Sequence, residues 1–320
     1  MLRVLRTAGR GLQDIEAVGP DWTLPPDAAW IDLNNPTRDE ELAAERVLGL
    51  QLPTREEMAE IEVSSRLYQE DGATFMTAFV LVGADDQAPA LQPVTFVLAK
   101  GIVTTIRYIE PKAFKAYAAQ AIRDPEFCLS GAGAFLGLLD ALVDRIADIL
   151  EKTSADVEEI SHDIFIPTRK GGFKPILRRL GHSQSLAAKA RSSLVSLGRL
   201  VSFASLSGDV ASARDHRDRL RTLQRDVQSL TDHSAYLTEN VTFLLDSATA
   251  LINTDQNEIM KLFSVWAVVL MPPTLIGSIY GMNFEHMPEL HWILGYPMAL
   301  LAMIIAMAVP LYLFRRRGWL

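Results

Sequence analysis

The sequence predicts an α+β membrane protein with an N-terminal α/β domain, a long helical coiled-coil stalk and two C-terminal transmembrane helices. Three observations lead there. Short β-rich runs separated by turn signals fill residues 1–125, apolar residues recur at helical spacing from Gly131 onward, and two long stretches near the end carry no charge.

Composition narrows the function classes. The chain has 320 residues, 31 Lys+Arg against 39 Asp+Glu, a formal charge of −8 and a single Cys, Cys128. One Cys excludes intrachain disulfides, C-x-x-C redox motifs and Cys-based zinc sites. The acidity leaves no basic face to neutralise phosphates, so nucleic acid is not an expected partner.

In residues 1–125 the expected strands are Ala29–Leu33, Ala73–Val82, Val94–Leu98 and Ile102–Tyr108. Asn34-Asn35-Pro36, Gly83-Ala84-Asp85-Asp86 and Lys100-Gly101 separate them. Arg38–Leu48 reads as a helix. Thr54, with Glu57 three residues later, reads as the start of another.

Long helices are expected over 126–208. Phe135, Leu138, Leu139, Leu142, Ile146 and Ile149 open a helical face that continues to Ile164 and should stop near Pro167. Gly171-Gly172 marks a turn, a second helix follows from about Lys174 to Leu206, and Ser207-Gly208-Asp209 marks another break.

The stalk, expected over 209–280, is the most regular part. Leu220, Leu223, Val227, Leu230, Ser234, Leu237, Val241, Leu244, Ala248 and Leu251 alternate spacings of three and four. No Gly or Pro interrupts residues 209–271. The helix should therefore run on into the membrane, for about 70 residues or roughly 100 Å at 1.5 Å per residue. Asp232, Glu239, Asp246, Asn253 and Met260 recur every seven residues on the side away from the leucine seam. Such a stripe is either a solvated face or a row of carboxylates turned toward a symmetry axis, where like charges repel unless a cation intervenes.

Residues 262–280 and 293–314 are uncharged over 19 and 22 positions, close to the roughly 20 residues that cross a hydrocarbon core as a helix. Lys261 precedes the first span and Arg315, Arg316 and Arg317 follow the second, within a basic tail at 315–320. The intervening loop, 281–292, holds Glu285 and Glu289 and no Lys or Arg. By the excess of basic residues on the inner side, both termini are expected in the cytoplasm of a multi-pass protein of the cell (inner) membrane. The N-terminal run MLRVLRTAGRGLQD has no apolar core of the length a secretory signal needs.

The first span is two-faced. Asn257, Met260, Ser264, Ala267, Met271, Thr274 and Ser278 form a stripe of small, polar or flexible side chains, which suits either a pore lining or close helix packing. Pro272-Pro273 should bend the helix.

After the stripe comes Tyr280-Gly281-Met282-Asn283, then Phe284-Glu285-His286-Met287-Pro288-Glu289-Leu290. The run NEIMKLFSVWAVVLMPPTLIGSIYGMNFEHMPEL, followed by HWILGYP, a second span and RRRGWL, resembles the CorA family of divalent-cation channels, marked by Gly-Met-Asn at the outer end of the first span. The match is close over 246–320. The resemblance implies a homopentameric funnel in the lipid bilayer, with the first span lining a central pore. Mg²⁺ is then the substrate and regulatory ligand, Co²⁺ and Ni²⁺ are further cargo, and no resident cofactor is expected. It also implies a selectivity filter at Gly281, Met282 and Asn283 and a pore lined by Asn257, Met260, Met271, Thr274 and Ser278. A regulatory metal position falls at Asp246, with Glu57 as its partner on the α/β domain. Met282 favours the magnesium branch over the zinc-transporting one, which usually alters that residue.

A ring of amide oxygens from Asn283 suits Mg²⁺, which loses its water reluctantly and is held through it. Glu285 and Glu289 suit cation attraction at the outer mouth, or are ordinary loop charges. Two other readings stay open. His286 and His291 allow a zinc, cobalt or nickel transporter of the same fold, and the heptads alone fit a poreless, membrane-anchored signalling coiled coil. An enzyme is not expected. The six His show no H-E-x-x-H pairing, there is no phosphate-binding G-x-x-x-x-G-K-[ST] loop, and Cys128 has no evident base.

Overall fold

The computed structural model describes residues 1–6, 12–15, 22–60, 62, 64–85, 88–123, 129–166, 172–283 and 287–319. They divide into two compact units, Met1–Leu245 and Asp246–Leu320.

The first unit is built on a seven-stranded sheet. Its strands are β1 (Leu2–Arg6), β2 (Leu12–Ile15), β3 (Ala28–Asn34), β4 (Leu67–Glu70), β5 (Ala73–Val82), β6 (Ala90–Ala99) and β7 (Ile102–Arg107), in the order β2-β1-β3-β7-β6-β5-β4. Neighbours are antiparallel except β3 and β7, which run parallel. Two-residue turns at Asp71-Gly72 and Lys100-Gly101 close the β4–β5 and β6–β7 hairpins. All four residues have positive φ, the backbone that a tight hairpin requires. The four strands expected from the sequence are β3, β5, β6 and β7; β1, β2 and β4 are additional.

Both faces of the sheet are covered, which explains why its strands read as apolar runs rather than clean alternation. Helices α1 (Arg38–Leu48) and α2 (Arg55–Met58) lie in the chain between β3 and β4. Ala44, Leu48 and Met58 from them share a core with Val4, Ile31, Leu33, Phe75 and Val97. On the opposite side Trp30, Met76, Phe96 and Val103 pack with Phe114 and Tyr117 of α3 (Lys112–Arg123) and Phe135 of α4 (Gly131–Phe165). A Cβ on Gly131 would stand 2.5 Å from the Gly101 carbonyl oxygen, and one on Gly137 would stand 2.3 Å from the Tyr117 ring. These two glycines let α4 lie directly on the β6–β7 turn and on α3. Ser130 caps α4 by accepting from the Gly133 N–H at 3.0 Å.

Within the sheet, Asp32 and Arg107 form a fully buried pair, with Nη2 2.7 Å and Nε 2.9 Å from the two carboxylate oxygens. The Thr105 hydroxyl also donates to Asp32 and itself accepts from the Trp30 indole, so the charges are fixed by a chain of hydrogen bonds.

Helix α5 (Lys174–Ala204) follows α4. The expected stop at Pro167 and the first residue of the Gly171-Gly172 turn lie outside the described residues; Gly172 has φ +66°. A short helix, α6 (Gly208–Ala211), precedes α7, which begins at Arg214 and continues unbroken to Tyr280. The long helix thus starts five residues later than the expected 209, because Gly208–Ala211 closes a separate turn.

The leucine seam of α7 is buried from Leu220 to Ala248 apart from the half-buried Leu230, while Asp232, Glu239, Asp246, Asn253 and Met260 are exposed. Ser234, the polar member of the seam, donates to the Ala187 carbonyl at 2.7 Å, and Arg219 pairs with Asp140 of α4.

The second unit holds the C-terminal part of α7, a 3-10 turn at Pro288–His291 and α8 (Gly295–Arg316). A Cβ on Gly277 would meet the Met303 side chain at 3.4 Å, and Lys261 reaches the Gly318 carbonyl at 3.4 Å. The two helices therefore run antiparallel as a hairpin. Both are long and apolar enough to cross a membrane.

Candidate transport site

The site is built on one face of α7. Asn257, Met260, Ser264, Ala267, Met271, Thr274 and Ser278 are all exposed, with Met260 66% and Met271 70% accessible. Val265 and Val269, roughly opposite them at 100° per residue, are the buried residues of this segment. Within the hairpin the polar stripe is left uncovered, as are Leu262, Phe263, Trp266, Leu270 and Leu275, while Val265 and Val269 supply the packing.

Local chemistry sets what the stripe presents. The Ser264 hydroxyl donates to the Met260 carbonyl at 2.8 Å and the Thr274 hydroxyl to the Leu270 carbonyl at 2.7 Å. Pro272 and Pro273 lie inside the helix and carry no N–H, so the carbonyls of Val268 and Val269 lose their usual donors. At the next position the Leu270 carbonyl keeps its usual partner, the Thr274 N–H, and accepts the Thr274 hydroxyl as well.

At the end of α7 the Gly281 N–H bonds the Gly277 carbonyl at 3.0 Å and the Met282 N–H bonds the Ile279 carbonyl at 3.2 Å. The last turn therefore tightens before the chain leaves the helix. A Cβ on Gly281 would stand 3.1 Å from the Gly277 oxygen, so Gly281 suits this tight exit. Met282 and Asn283 follow, both exposed. Glu285 and His286 lie outside the described residues, as does the side chain of Glu289; His291 is exposed in the 3-10 turn. Behind the Gly-Met-Asn run, Gly277, Tyr280, Gly281, Trp292, Tyr296 and Met303 are among the residues lining a groove of about 370 Å³.

The two expected regulatory residues differ. Asp246 is exposed on α7. Glu57 is exposed too, but its carboxylate closes the capping box of α2 on Thr54. Among the described residues no group of three or more His, Cys, Asp or Glu of one chain could hold a metal ion.

A family model described as CorA-like Mg²⁺ transporter protein matches residues 27–316. The chain belongs to the CorA family. It is 35% identical over 295 residues to the magnesium transport protein CorA of Salmonella typhimurium, covering 92% of each chain. To the protein of that name in Escherichia coli K12 it is 34% identical over 294 residues, again covering 92% of each. In fold it is similar to the complete CorA magnesium transporter of Methanocaldococcus jannaschii, with a TM-score of 0.78 at 17% identity, covering 100% of this chain and 99% of that one. CorA proteins are transporters rather than enzymes, and an α/β domain followed by long helices and two C-terminal spans is the CorA architecture.

One contact of this CorA chain escaped sequence reasoning. Lys261 lies against Trp319, 5.6 Å from its ring centroid, and Trp319 stacks on Phe314. The only signal for it was an aromatic residue following Gly318 in the basic tail.

Proposed function

We propose that five copies of the chain form a homopentameric channel for passive uptake of hydrated Mg²⁺, with Co²⁺ and Ni²⁺ as further cargo. Both termini face the cytoplasm and the protein resides in the inner membrane. The observation that carries this reading is the uncovered stripe from Asn257 to Ser278, which leads to Gly281-Met282-Asn283. Relatives named as magnesium transport proteins support the choice of cargo.

In this reading the stripe lines the pore and five Asn283 amide oxygens hold the ion through its water shell. Mg²⁺ keeps an octahedron of oxygens at ~2.0–2.1 Å and sheds water slowly. Neutral ligands keep binding weak enough for release. Glu285 and Glu289 raise the cation concentration at the outer mouth. Asp246 supplies one carboxylate per chain; repeated around an axis these repel, and cytoplasmic Mg²⁺ bridging them, with Glu57 as a further ligand, favours the closed assembly.

Flux of each cation, measured separately in proteoliposomes alongside the mass of the detergent-solubilised complex, tests the proposal. Mg²⁺ flux through a pentamer is the expected result. A monomeric or dimeric complex, or vesicles that take up no Mg²⁺, overturns it.

A further inference from the structure

We infer that Lys261 and Arg315–Arg317 together form one headgroup site for an anionic phospholipid at the end of the hairpin where α8 finishes. Lys261 stands 57 residues before Gly318, and the fold brings it against Gly318 and Trp319, which directly follow the three consecutive arginines. Gly318 takes φ +69°, a backbone that lets the chain reverse after α8. The N–H groups of Arg317, Gly318 and Trp319 bond back to Leu313, Arg315 and Phe314 at 3.1, 3.2 and 3.0 Å. Trp319 thereby stacks on Phe314, centroids 5.5 Å apart and planes within 10°. Its ring meets Lys261, whose ammonium also approaches the Gly318 carbonyl.

The guanidinium groups of Arg315, Arg316 and Arg317 are exposed and have no side-chain hydrogen bond or ion pair among the described residues. Glu258, one helical turn before Lys261, is the neighbouring carboxylate in the sequence, and the cations outnumber it. Leu262, Phe263, Leu311 and Leu313 are exposed beside the cluster, so the site opens at the boundary between apolar helix and water. That is the depth of lipid phosphates. Trp319 has the apolar body and polar edge that favour the same layer. Basic groups next to a span attract anionic headgroups by about fivefold per charge at moderate salt.

The proposal needs only a hairpin lying in a bilayer and is read without flux, so it stands or falls separately from the channel. The full-length protein is reconstituted in phosphatidylcholine vesicles holding trace spin-labelled phosphatidylglycerol or phosphatidylcholine, and the association of the two labels is compared. Preference for phosphatidylglycerol is expected. Lys261→Gln should lower it by about fivefold, and the triple change of Arg315, Arg316 and Arg317 to Gln by more. The same triple change to Lys should keep it, showing that the tail still folds. The site is overturned if Lys261→Gln leaves the preference intact, if the triple Gln variant retains it, or if the triple Lys variant loses it. Displacement of the labelled lipid by millimolar inorganic phosphate as readily as by unlabelled phosphatidylglycerol overturns it too.

Discussion

The carboxylate of Glu57 is already committed to Thr54, accepting from its backbone N–H at 2.8 Å and from its hydroxyl at 3.0 Å. Asp246 has no side-chain hydrogen bond or ion pair among the described residues. This difference separates the two proposed regulatory residues. Asp246→Asn should weaken inhibition by internal Mg²⁺ while conduction persists, read as current against internal Mg²⁺. Thr54→Ala breaks the cap without touching a carboxylate and should cost about 1 kcal/mol. If it shifts the inhibition curve as far as Glu57→Gln does, Glu57 acts as a cap and not as a ligand.

Asn283→Ala should reduce Mg²⁺ flux at least tenfold, the effect of losing roughly 1.4 kcal/mol of ion stabilisation, while the oligomer keeps its mass. Undiminished flux in an assembled variant removes Asn283 from the filter.

Met260 is two-thirds exposed on the stripe, and a ring of thioethers offers a hydrated cation little coordination. Met260→Ser should raise leak conductance by letting water remain in the constriction. Unchanged conductance would mean that this face packs against protein.

Burial opposes ionisation of Glu40, but hydrogen bonds from the Met1 ammonium and from the Thr37 and Leu2 N–H groups outweigh it and hold the carboxyl below the usual range. A carboxyl lowered on folding contributes stability that is complete above its unfolded value and lost as pH falls through the folded one. Thermal unfolding of the wild type should therefore become easier as pH drops below about 4.3. Glu40→Gln should flatten that part of the profile and leave a lower melting temperature at neutral pH.

Arg107→Met leaves Asp32 buried without its counter-charge and should cost about 3–5 kcal/mol. Changing Asp32 to Asn in the same chain should restore part of the loss, as a melting-temperature double-mutant cycle would measure.

The elements that the sequence revealed are those with long, regular patterns. The heptads of α7 and the runs of β5 and β7 are legible because burial on one or both faces is written along many consecutive residues. Leu12–Ile15 and Leu67–Glu70 have four residues each, too few for a period to emerge, and Leu2–Arg6 carries arginines three residues apart, a spacing that breaks the alternation of a strand. The parallel pairing of β3 with β7 joins residues about seventy apart, and no local pattern encodes it. At the site, the stripe and the Gly-Met-Asn run were legible from spacing and family resemblance. The capping role of Glu57 was legible too, and it competes with the ligand role. Lys261 meeting Trp319 depends on how the hairpin closes, which spacing cannot express.

The back-bonded hydroxyls of Ser264 and Thr274 bear on ions of the opposite sign. Each has spent its single proton on its own helix, so outward it offers only lone pairs. The water around a cation presents hydrogens, and such a wall can accept them. A chloride ion needs donors and would find none from these two groups. In the proposed pore the helix would therefore favour one polarity of solute over the other without a single formal charge along the span.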